Sequence, residues 1–105
     1  MAYDLVVGKS FKVKDAPDIV GSIEFSELKN INSLAKKVDC AFLYIISNLF
    51  EDSTFTPAEI KAAIDVLNPL LLQSLGAADS ELLHKLLAVL NYANAKQLSL
   101  FGVAD

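Results

Sequence analysis

Gly8-Lys9-Ser10 has the ending of a phosphate-binding loop. The full motif needs a second glycine at the position of Tyr3 and a helix directly afterwards, where this chain offers Phe11-Lys12-Val13-Lys14. Both requirements for cradling phosphate fail, so the stretch reads as a hairpin turn. His84 is the only histidine, which excludes a two-histidine relay or a histidine-rich metal site, and its place on the polar side of the last helix reads as surface. Cys40 is the only cysteine. It permits neither an internal disulfide nor a cysteine-rich zinc site, and without a histidine nearby to activate it the thiol reads as a small packed hydrophobe. Glu51 and Asp52 are the one adjacent carboxylate pair in a loop. Acid and base catalysis would require one of them in an apolar pocket, usually with an orienting partner. A solvated loop able to touch a basic partner fits them better. With no calcium-loop spacing either, the expectation is no cofactor, no metal and no catalytic residue.

The elements that would carry these residues follow from hydrophobic period. Tyr3 to Val7 and Phe11 to Lys14 are β-prone runs about the glycine turn, and Ile19, Gly21, Ile23 and Phe25 alternate as a third strand. From Ile31 the period becomes helical, with Ile31, Leu34, Ala35, Val38, Phe42, Ile45, Ile46 and Leu49 on one stripe. Lys36 and Lys37 solvate the opposite face of the first half. In the second half Cys40, Leu43 and Tyr44 fall there instead, with Phe50 at the edge. A helix apolar nearly all round must be covered on more than one side.

Glu51 to Phe55 reads as a loop. Thr56-Pro57-Ala58-Glu59 is a capping box with proline at the first helical position, opening a helix whose inner face is Ile60, Ala63, Ile64 and Leu67. Pro69 should kink it, or end it with Asn68 capping a short new helix through Leu75. Asp79 or Ser80 caps a final amphipathic helix to about Lys96, with Leu82, Leu83, Leu86, Leu87, Val89, Leu90 and Ala93 inside. The tail from Leu98 to Val103 has the composition of a further strand or of an ordered coil. The expected fold is α+β: a small antiparallel sheet, an N-terminal meander with or without a C-terminal strand, packed against three or four helices.

The chain has 105 residues, which fits a single domain spanning 1–105, and its 53% hydrophobic content before counting glycine marks a folded chain. MAYDLVV lacks the basic start of a signal peptide, and no apolar stretch approaches the ~20 residues that span a bilayer. The expected location is cytoplasmic, away from membranes. The net charge is −4 and every basic residue is lysine. Without arginine's planar fork an acidic chain is a poor nucleic-acid binder, whereas its acidity suits a basic protein partner.

The expected function is therefore a non-enzymatic protein-binding module or inhibitor. In size and charge the chain resembles small acidic bacterial proteins that neutralise toxins, an immunity-like role. Tyr92 on the outward face of the last helix, between Ala88 and Ala95, has the character of an interface anchor. Leu43, Tyr44, Glu51, Asp52 and Phe55 complete the candidate contacts, and a homodimer would equally cover the spare apolar face. The alternatives are a cofactor-independent enzyme with a pocket carboxylate and a structural subunit of a homo-oligomeric assembly.

Overall fold

A computed structural model describes residues 2–10 and 12–104, without the Val13 side chain. These residues form four strands and four α-helices in an α+β arrangement. β1 (Ala2–Gly8), β2 (Asp18–Glu24), β3 (Ser53–Phe55) and β4 (Ser99–Ala104) make one antiparallel sheet in the order β2-β1-β4-β3. Residues opposite one another across antiparallel strands share a face. Tyr3, Leu5 and Val7 of β1 thus lie with Ile23 of β2, Leu100 of β4 and Phe55 of β3, and all belong to the core shared with the helices.

β1 pairs with β2, not with residues 11–14. Val13–Asp15 form a 3-10 turn, and Phe11 lies outside the described residues. β1 ends at Gly8 and β2 begins at Asp18, so the connection, in which Ala16 adopts φ 46, is a wide loop and not a tight hairpin. The register then slips: Leu5 faces Gly21 while Val6 faces Ile19, leaving Val20 as a bulge. One extra residue reverses the parity of everything beyond it. Ile19, expected to share a face with Gly21 and Ile23, goes instead to the outer face at 71% exposure. Phe25 leaves the strand altogether for a 3-10 turn, Phe25–Glu27, and is 52% exposed.

Leu5 lies between two glycines, Gly21 on one side and Gly102 on the other. Gly102 lets the Tyr3 ring lie across β4, so that the Tyr3 hydroxyl meets Ser53 Oγ on β3. Burial, opposed by that hydrogen bond, raises the pKa of the phenol, and the charge of Asp52 adds to the rise.

The helix expected over residues 31–50 is two helices, α1 (Leu28–Ala35) and α2 (Ala41–Ile46). Lys37 N bonds Leu34 O at 3.0 Å in a closing turn, and Cys40 is extended at φ −133, ψ 111. No proline or glycine causes this break. What the break achieves is packing: α2 is re-aimed so that Phe42, Leu43 and Ile46 enter the core. Phe42 meets Phe55 edge to face, with centroids 4.8 Å apart.

α3 (Pro57–Leu67) begins as its sequence dictates: Glu59 N donates to Thr56 Oγ1 and Thr56 N donates to Glu59 Oε1. Pro69 follows in a 3-10 segment, Asn68–Leu72, which ends the α-helix and leaves Leu72 92% exposed. α4 (Ala77–Lys96) runs under the sheet and ends on Gln97 in the left-handed region. Its first residue outside is Gly76, so neither Asp79 nor Ser80 is the cap. Asp79 serves α1 instead, accepting from Ser33 Oγ at 2.6 Å and Asn30 Nδ2 at 2.8 Å.

The Ser33 and Asn30 hydrogen bonds lower the Asp79 pKa below its ordinary 3.8. The folded value lies below the unfolded one, so the contribution is complete above about pH 4 and is lost as pH falls through the folded value. Because the carboxylate is largely solvated, we expect less than ~1 kcal/mol. Urea titrations of Asp79→Asn should show that deficit at neutral pH and convergence with wild type in acid. An equal deficit at all pH values would assign the loss to packing.

Candidate functional site

α2 presents its other side to solvent. Tyr44 is 54% and Ile45 41% exposed, although Ile45 was expected on the inner stripe. Beyond the helix, Phe50 is 64% exposed and meets Phe25, with centroids 6.1 Å apart and planes tilted by 54°. Two large aromatic rings resting on each other in water are an unusual use of apolar surface. Glu24 precedes Phe25, and Glu51 and Asp52 follow Phe50, so carboxylates flank both rings in the chain. Lys29 lines a shallow hollow together with Phe25.

On the side of α2 facing α3 lies a small groove of about 130 Å³. Phe42, Phe55, Ile45 and Val66 line it, together with the carboxylate residues Asp39 and Glu59. Both acidic residues are exposed. Cys40 borders the groove but is only 3% exposed, and no histidine lines it. Among the described residues no charged residue is buried, the one buried hydroxyl being that of Tyr3, and no group of histidine, cysteine, aspartate and glutamate could hold a metal. No described helix is long and apolar enough to cross a membrane.

The residues singled out from sequence separate into three places. Tyr44, Glu51 and Asp52 are exposed, with Asp52 Oδ1 accepting from Ala104 N at 2.8 Å and so tied to β4. Leu43 and Phe55 are 0% and 2% exposed. They present no surface to a partner, because the α2 break turns Leu43 inward and pairing with β4 makes residues 53–55 an edge strand instead of a loop. Tyr92 is on another flank. Its hydroxyl donates to Asp18 Oδ2 at 3.1 Å and Lys96 lies 5.8 Å over its ring, so it stitches α4 to β2. That hydrogen bond raises the phenol's pKa. His84 Nδ1 donates to the Ser80 carbonyl at 2.7 Å on the exposed face of α4.

Sequence reasoning missed Phe25, Ile45, Asp39 and Glu59. Phe25 was counted into a strand and Ile45 into an unbroken helix, while Glu59 was read only as a cap; Asp39 carried no signal of its own. The comparisons with family models, curated proteins and solved structures find no match for the chain.

Proposed function

We propose that the chain is a non-enzymatic protein-binding module that docks through the exposed side of α2 and the neighbouring Phe25–Phe50 pair, on a partner whose contact surface is apolar and basic. The observation that carries the reading is the aromatic pair itself, exposed at 52% and 64% and bordered in sequence by Glu24 and Glu51. Aromatic anchors surrounded by charge are how interfaces concentrate affinity at the centre and steer the approach from the rim. Acid and base chemistry would want a desolvated carboxylate, whereas Asp39, Glu51 and Glu59 are exposed.

A photo-cross-linking residue in place of Phe50, expressed in the native cell, tests this. The expected result is one heterologous, basic protein captured at position 50, absent with the same residue at exposed Ala95 of α4, and lost when Phe25→Ser is added. Thermal unfolding of Phe25→Ser should match wild type. Adducts only between copies of the chain would replace the heterologous partner by a homodimer. No adduct at position 50, or the same adducts at both positions, would remove the reading.

A further inference from the structure

The groove between α2 and α3 has walls and charge of different kinds. Its lining is aromatic and aliphatic, from Phe42, Phe55, Ile45 and Val66, and its only charged members are the carboxylate residues Asp39 and Glu59. No lysine lines it. A neutral apolar side chain would leave unused the Asp39 carboxylate and the second oxygen of Glu59, whose Oε1 already accepts from Thr56 N, and a short cation would leave the apolar lining wet. A long aliphatic stem that ends in a positive charge uses both, since such side chains bury their methylenes along apolar surface and keep the head at the water boundary. The groove, about 130 Å³, has room for a slim unbranched chain.

We infer that this groove seats a lysine or arginine side chain of the partner, its stem against Ile45 and Val66 and its charge shared between Asp39 and Glu59. Ile45 belongs both to the groove and to the exposed side of α2 that carries Tyr44, so the cationic side chain would sit beside a contact made on that side of the helix. The inference rests on the partner-binding reading above. It adds which partner chemistry this part of the surface selects.

The assay is methyl and amide NMR of the whole chain titrated with Nα-acetyl-lysine methylamide and Nα-acetyl-arginine methylamide. Nα-acetyl-norleucine methylamide, which has a comparable stem and no charge, is the comparison. Saturable shifts are expected at Ala41, Ile45, Ala62 and Val66 with either cation and not with norleucine. Asp39→Asn combined with Glu59→Gln should weaken the cation's binding about fivefold, as two exposed carboxylate contacts warrant. Glutamine preserves the capping box, so the variant should stay folded. Equal shifts with norleucine would make the groove an apolar pocket and overturn the assignment. So would the lack of any saturable shift, or shifts undiminished in the double variant. Shifts at these methyls on concentrating the chain without probe would instead assign the groove to a second copy. Capture at position 50 with no groove response would leave the binding module standing and remove this inference alone.

Discussion

Gly102→Ala is expected to lose a large part of the molecule's stability, while Gly21→Ala is neutral or mildly stabilising. Both glycines face Leu5 from adjacent strands and on the same side of the sheet, so strand propensity alone would treat them alike. Their surroundings differ. A methyl group on Gly21 would meet Val89 Cγ2 at 3.5 Å and Leu5 Cδ1 at 3.8 Å, ordinary contacts, and would relieve the entropy cost of glycine within a strand. On Gly102 it would overlap the Tyr3 phenol, with ring Cε1 at 2.5 Å and the hydroxyl closer still. Tyr3 is fully buried and hydrogen-bonded to Ser53, so the ring has nowhere to go without breaking the β1–β4 ladder or leaving the core. Overpacking of this kind costs ~3 kcal/mol, a large part of the 5–15 kcal/mol typical of a domain. Thermal unfolding followed by circular dichroism should fall by more than ~10 °C. A Gly102→Ala protein that melts with wild type would show that Tyr3 does not occupy that space.

The second large effect separates neighbours on α2. Leu43→Glu should unfold the chain, whereas Tyr44→Glu should fold normally and lose the partner captured at position 50. Leu43 is 0% exposed, and its replacement forfeits about 2 kcal/mol of apolar burial while placing a carboxylate where nothing compensates its charge. The sum, above ~4 kcal/mol, belongs to the few mechanisms that cause severe destabilisation. Tyr44, at 54% exposure, can turn a charge into water at a cost within ~0.5 kcal/mol. Chemical denaturation of the two variants distinguishes them. A folded Leu43→Glu protein would contradict the α2 orientation on which both the aromatic surface and the groove depend.

The same pair shows what could be read from residue order. The local signals held: Thr56 to Glu59 opened α3 because a capping box is completed by groups three residues apart, and the apolar stripe of α4 was read correctly because the helix runs for 20 residues. Features decided by distant partners were not legible. Ser53-Thr54-Phe55 is a strand only because β4 lies beside it. The helix over residues 31–50 divides without a breaker: one straight helix would keep Phe42 and Ile46 on the stripe of Ile31 and Leu34 but leave Leu43 off it, whereas the break brings all five into the core. The bulge at Val20 likewise has no local mark, and it alone decides that Ile19 faces outward. Glu51 of the candidate surface was therefore legible as a solvated position, whereas Tyr44 was grouped with Leu43 on a face expected to be covered and is 54% exposed. Phe25, Ile45 and the Asp39–Glu59 groove emerged only from the packing of α2.

β4 occupies the middle of the sheet, between β1 and β3, with Tyr3 opposite Ala104. Synthesis from the amino end therefore delivers this centrepiece after every other strand and helix of the fold. Until the ribosome has released residues 99–104, the β1–β2 hairpin has one unzipped margin and Leu5 and Val7 lack their far neighbours. Closing a loop of such length makes assembly slow compared with a helical bundle of equal size, and it leaves a nascent chain with sticky strands on offer. Chaperone demand during translation should accordingly peak between the appearance of α4 and the arrival of its successor.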